Sequence, residues 1–172
     1  MKKLMMVAVM MLLSVGAFAQ AGKFGIGASA GMALYGDDYN PFGIGAKAQY
    51  GITDDFRLEA DFNYWFPKNG GGVMDIDLNL EYLIPVGEGI NVYPIVGGNM
   101  AFTHGDGDSE SIFGFQGGFG IEYFLSSNLK VNLDAKYQYN KKTVDIDIMG
   151  YKTSYDMKFD GPVIQAGIVY LF

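Results

Sequence analysis

Apolar and polar residues alternate one by one along this chain in eight separate stretches of about ten to twelve residues. A period of two places successive side chains on opposite faces of a β-strand. The third stretch shows it most plainly. Phe56, Leu58, Ala60, Phe62, Tyr64 and Phe66 alternate there with Arg57, Glu59, Asp61, Asn63 and Trp65. The others span residues 23–34, 42–52, 74–84, 91–102, 113–123, 129–139 and 162–172. Soluble sandwiches use strands of about 5–6 residues. A tilted strand needs roughly 9–11 to cross the hydrocarbon of a bilayer. Eight strands of the longer kind point to a membrane-spanning sheet.

The connections support this. Segments 53–55, 85–89 and 125–128 are tight, whereas 35–41, 67–72, 103–111 and 140–161 are longer and polar. Short turns on one side and long loops on the other are the asymmetry of a transmembrane barrel. The last connection is long enough for a hairpin above the membrane. Val144, Ile146 and Ile148 alternate with Asp145 and Asp147 there, and residues 151–157 supply a return arm. Pro94 interrupts the fifth stretch. Lacking an N–H, it predicts a β-bulge at that point.

Lipid offers no hydrogen bonds, so every backbone polar group at that depth must be paired internally. Helices and closed sheets satisfy this. No stretch of 18 consecutive apolar residues follows the N-terminal region, which leaves the closed sheet. The expected fold is an all-β, eight-stranded antiparallel up-and-down barrel. Its polar face must then point inward. That places Lys47, Arg57, Glu59, Asp61, Asp75, Asp77, Glu81, Glu122, Lys130, Asp134 and Lys136 in the lumen. Eight strands enclose little more than their own side chains, and buried charges need partners. A lumenal ion-pair network is the expectation. Aromatics should form two girdles on the lipid face. Tyr50, Phe56, Tyr82, Tyr123 and Phe172 make one, and Phe42, Tyr64, Phe66, Phe102, Phe113 and Tyr139 the other. A soluble lipocalin-type barrel would carry the opposite pattern, apolar inside.

The N-terminus reads as an export signal. Lys2 and Lys3 precede an apolar run over residues 4–13, and Ala17-Phe18-Ala19 is the small-x-small pattern that signal peptidase reads. The run is too short to anchor the chain across a bilayer. The expected division is a cleaved signal peptide, 1–19, and one barrel domain, 20–172. The mature part keeps ten basic and nineteen acidic residues. This acidic balance argues against nucleic acid as a partner, since that affinity rests on cations meeting phosphates. Cysteine is absent, so no disulfide supports the fold.

The chain ends Gln165-Ala166-Gly167-Ile168-Val169-Tyr170-Leu171-Phe172. This resembles the C-terminal assembly signal of bacterial outer-membrane proteins. Gln165, Gly167, Tyr170 and Phe172 occupy its polar, glycine and two aromatic positions. With the export signal and strand count, the mature chain resembles the small outer-membrane β-barrel family that includes the OmpA and OmpX barrels, often called porin-like. The stretch Tyr93-Pro94-Ile95-Val96-Gly97-Gly98 is similar to an aromatic-Pro-x-x-Gly strand of that family. The resemblance implies residence in the bacterial outer membrane, contact with its lipid and lipopolysaccharide, and recognition of the last strand by the barrel-assembly machinery. No peptidoglycan-binding domain follows the barrel, so a wall-tethering role is not implied.

Catalytic and metal signals are weak. His104 is the only histidine and is expected in a polar loop with Ser109 and Ser111 near it, without a lipid-enzyme motif around them. Asp106-Gly107-Asp108-Ser109-Glu110 does not follow calcium-loop spacing, and it reads, like Asp37 and Asp38, as a solvated acidic loop. The paired glycines lie in strand alternation and not at a strand-to-helix turn, so they are no phosphate loop. No cofactor, metal or catalytic residue is expected. The expected function is a non-enzymatic structural barrel that presents its outer loops to an extracellular protein or surface ligand. The alternatives are a narrow cation-favouring channel and a lipid A-modifying enzyme.

Overall fold

In a computed structural model, the structure describes residues 20–35, 40–66, 72–104, 109–148 and 151–172, without the side chains of 103–104, 109–110, 142–148 and 151–159. The signal segment 1–19, Asp37, Asp38, Asp106 and Asp108 lie outside the described residues. The elements are β1 (Phe24–Ala33), β2 (Phe42–Gly51), β3 (Phe56–Phe66), β4 (Val73–Tyr82), β5 (Ile84–Gly87), β6 (Ile90–His104), β7 (Ser109–Phe124), β8 (Leu129–Ile148) and β9 (Tyr151–Leu171). Every neighbour pair is antiparallel. β4 and β5 are two halves of one stave, because both pair with β6 in a continuous register. β1 pairs with β9, so the eight staves close. Closure leaves no open edge within the wall, as lipid demands.

The ring is staggered. Phe24 leads through Tyr50, Leu58, Leu80, Val96, Gly117 and Tyr137 to Pro162. Pro162 accepts a hydrogen bond from Leu34 N at 2.8 Å, ten residues beyond Phe24 and just past the end of β1. Such a shear tilts the strands to about 35–45° and leaves an interior that side chains fill.

Polarity follows the alternation. Phe62, Leu78, Phe115, Phe119 and Ile168 are exposed on the outside, while polar residues are buried inside. The aromatics expected at both rims are exposed, except Phe102, which is half-buried. Several meet in pairs: Phe42 stacks on Phe66 at 6.4 Å, and Phe56 lies 5.0 Å from Tyr82. Glycine makes room inside for bulky neighbours. A Cβ at Gly43 would overlap the Trp65 ring, and one at Gly120 would overlap Tyr93.

The tight turns are built locally. Thr53 Oγ1 accepts from Phe56 N at 2.9 Å, and Ser126 Oγ from Leu129 N at 3.1 Å. Gly89 takes a positive φ of 71° in the turn between β5 and β6, a conformation that glycine adopts without strain.

Two expectations are corrected. There is no bulge at Pro94. The register runs through it, and the wall yields instead on the facing stave, which breaks at Leu83 between β4 and β5. Leu83 N donates to Asp55 O at 2.6 Å. A missing donor is accommodated by a gap in the neighbouring strand without adding a residue. The register shift that does occur lies between Pro85 and Gly87, at the turn. The loop expected at 103–111 is also shorter. β6 runs to His104 and pairs it with Ser109, so the backbone of His104 belongs to a strand end.

Candidate functional site

The lumen is the chemically dense part of the molecule. All eleven charged residues placed inside by alternation are buried. They form two joined clusters and a cap. Near the short-turn end, Arg57 on β3 meets Glu81 on β4 at 2.5 Å and Glu122 on β7 at 2.6 Å. Lys130 on β8 meets the same Glu122 oxygen at 2.9 Å. Asn91 donates to Glu122 at 2.8 Å, and the Arg57 guanidinium lies 4.9 Å from the Tyr93 ring centre.

At mid-height Lys47 lies within 2.9 Å of Glu59, 3.1 Å of Asp61 and 3.0 Å of Asp134. Lys136 reaches Asp77 at 2.9 Å and Asp61 at 3.3 Å. Tyr93 donates its hydroxyl to Asp134 at 2.6 Å, and Gln49 donates to Glu59 at 2.6 Å. Towards the long-loop end the carboxylate's partners are neutral donors. Asp75 accepts from Asn63 and Trp65, both at 2.8 Å. A second chain of neutral groups crosses the bore: Gln116 donates to Asn79, Gln138 donates to Gln116, and the Tyr35 hydroxyl donates to Gln138.

Strand register sets part of this network and closure sets the rest. Lys47 stands directly opposite Asp61, and Arg57 opposite Glu81. Asp61 also stands opposite Asp77, a like-charge pair that is unfavourable by itself. Lys136 arrives from the far wall and offsets it. Paired in this way, the charges avoid the penalty of lone buried ions. The arrangement can brace the wall and fill the bore. Among the described residues, no group of three His, Cys, Asp or Glu side chains could hold a metal ion.

Alternation also puts Gln49, Asn63, Trp65, Asn79, Tyr93, Gln116 and Gln138 on the inner face, where the structure gives each a hydrogen-bond partner. Sequence reasoning missed Gln20, which precedes β1 and carries no alternation signal. Its carboxamide enters the lumen beside Glu122. The four residues of the expected assembly signal divide between faces. Gln165 is buried and donates to Asn63 at 2.8 Å, and Gly167 faces Asn132 and Ser29 in the register. Tyr170 and Phe172 lie outside, edge to face at 5.1 Å.

A closed, lipid-sided sheet around a charged, filled bore defines a transmembrane β-barrel of the bacterial outer membrane. A family comparison matches residues 5–172 to the outer membrane protein beta-barrel domain, and the chain belongs to that family. Comparison with curated proteins gives no match. Among solved structures, the chain is similar to the outer membrane protein OprG of Pseudomonas aeruginosa, with 18% identity, 89% of this chain and 97% of that one covered, and a TM-score of 0.67. It is similar to the N-terminal β-barrel domain of Pseudomonas aeruginosa OprF, with 15% identity, 88% and 98% covered, and a TM-score of 0.61. It is also similar to Ail, the attachment invasion locus protein of Yersinia pestis, solved with the heparin analogue sucrose octasulfate. That match has 18% identity, 88% and 99% covered, and a TM-score of 0.52. At these identities the likeness is one of fold.

Proposed function

We propose that this protein is a non-enzymatic structural barrel whose β8–β9 ribbon is a docking element outside the cell. The ribbon carries this reading. β8 pairs with β7 only as far as Asn140, and β9 pairs with β1 only as far as Val163. Beyond those points β8 and β9 pair with each other, from Lys141 opposite Lys158 to Ile148 opposite Tyr151. Eight residue pairs at about 3.4 Å each make a projection of roughly 25 Å. The register puts positions 142, 144, 146 and 148 (Lys, Val, Ile, Ile) on one face with 151, 153, 155 and 157 (Tyr, Thr, Tyr, Met). By alternation this face continues the one that lines the lumen below, so polarity inverts where the chain leaves the membrane. A two-stranded ribbon that projects beyond the wall with one apolar face is suited to seating a partner's extended segment. The similarity to Ail, whose name and bound heparin analogue speak of attachment, fits the same role.

Replacing residues 142–157 with a two-residue turn is expected to leave the barrel folded, with its heat-modifiable gel mobility intact. Binding of whole cells to surfaces coated with matrix protein or heparin should disappear. Retained binding would refute the docking role.

The second reading is a narrow channel that favours cations. Seven acidic side chains against four basic ones in the lumen support it. The buried, mutually paired charges of the bore support the structural reading, which expects planar-bilayer recordings to stay silent. A stable cation-selective step would select the channel. In either reading the last strand, with Gln165, Gly167, Tyr170 and Phe172, is the segment offered to the barrel-assembly machinery.

A further inference from the structure

We propose that Gln20, as the first residue of the processed chain, is a site of N-terminal cyclisation that folding of the barrel closes. The proposal rests on cleavage between Ala19 and Gln20. An N-terminal glutamine can react with itself. Its α-amine attacks the side-chain carboxamide carbon Cδ and closes a five-membered lactam. The Cδ–Nε2 bond breaks, and Nε2 leaves as ammonia with the proton the amine gives up. No oxidant or second substrate enters. In an unfolded exported chain nothing holds the carboxamide away from the amine.

In the barrel, Gln20 is 2% exposed although it lies outside every strand. Its Nε2 donates to Glu122 Oε1 at 2.9 Å. Its Oε1 accepts from Arg57 Nη1 at 3.2 Å and from Lys130 Nζ at 3.3 Å. These partners stand on β3, β7 and β8, around the short-turn mouth. The backbone is tied there too. Gly22 N donates to Gly51 O at 2.8 Å, Gly51 N to Lys23 O at 3.0 Å, Lys23 N to Gln20 O at 3.0 Å, and Ala21 N to Asp54 Oδ1 at 3.2 Å. Gly22 turns the chain with a φ of 73°. Gly51 allows the close approach, since a Cβ on it would overlap the Gln20 carbonyl oxygen.

Cyclisation must break the bond to Glu122, because Nε2 is the atom that departs. Arg57 and Lys130 hold the other end of the same carboxamide through Oε1. The lactam has no Nε2 to return to Glu122. Folding and cyclisation therefore compete for one carboxamide: the barrel slows the reaction, and a lactam formed first cannot make the Nε2 bond to Glu122. A chain that folds promptly keeps an open glutamine that caps the lumenal ion pairs.

Intact-mass spectrometry tests this on protein extracted from the outer membrane. One sample stays folded in detergent micelles and the other is unfolded in urea at the same pH and temperature. The expected starting mass is that of a chain beginning at Gln20 with its ammonia retained. Loss of ammonia should be at least about tenfold slower in the folded sample, where reaction waits on local opening. A start at another residue overturns the cleavage reading and the proposal with it. A start at Gln20 with equal rates in both states overturns the proposal alone. Gly51→Ala, checked for folding by gel mobility, should expel the N-terminal segment and lose ammonia nearly as fast as the unfolded chain. Continued protection in that folded variant would also overturn it.

Discussion

Replacing Lys136 with methionine is expected to destabilise the folded barrel by roughly 3–5 kcal/mol, the cost of stripping a buried ion pair of one partner. Asp61 and Asp77 face each other across the β3–β4 ladder. Lys136 Nζ sits 3.3 Å from one and 2.9 Å from the other. Without it, Lys47 still reaches Asp61 at 3.1 Å, so Asp77 is left as the uncompensated anion beside a second carboxylate. The measurement is the urea midpoint in lipid vesicles, followed by Trp65 fluorescence and gel mobility. The double variant Lys136→Met with Asp77→Asn should recover most of the loss, because it removes the stranded charge. Equal midpoints at neutral pH would show that the lumenal pairing does not support the wall.

Leu78→Arg should cost about 2–4 kcal/mol in the same vesicles, as charged residues do at the middle of a lipid-facing wall. Leu78 is 60% exposed on the outer face. Below it on β4 lies the rim aromatic Tyr82, and above it Met74 approaches the other rim, so the position is central. The control is Tyr139→Arg, near the outer rim, where a cation reaches headgroups and the expected cost is only about 0–1 kcal/mol. A depth dependence of this size is a property of a wall bathed in hydrocarbon. Equal and small effects at both positions would mean that water, not lipid, covers the outer face.

The alternation was legible because it has a simple physical cause. Each strand has one face in oil and one in a crowded polar bore, so side chains two apart must share a character. That rule carried Lys47, Arg57, Glu122 and Lys136 to the correct face from the sequence alone. It failed where no alternation existed. Gln20 precedes the first strand, and only the closed mouth shows where its side chain goes. Pro94 was read correctly as a lost donor but assigned the wrong remedy, because the gap lies on the partner stave at Leu83. Segment 103–111 looked like a loop from its composition, yet pairing carries β6 and β7 past the polar residues that begin it.

The sequence by itself determined the eight crossing strands, the face each side chain takes, the antiparallel order and the bilayer that must surround them. Local periodicity and chain length settle those points without reference to distant residues. The tertiary structure alone decided which charges meet. Asp61 and Asp77 are neighbours that repel in any flat sheet. The cation that reconciles them stands on β8, and only the staggered closure of β1 on β9 brings that wall opposite. Pairing across a bore depends on shear and diameter, which are properties of the closed ring and of no single strand.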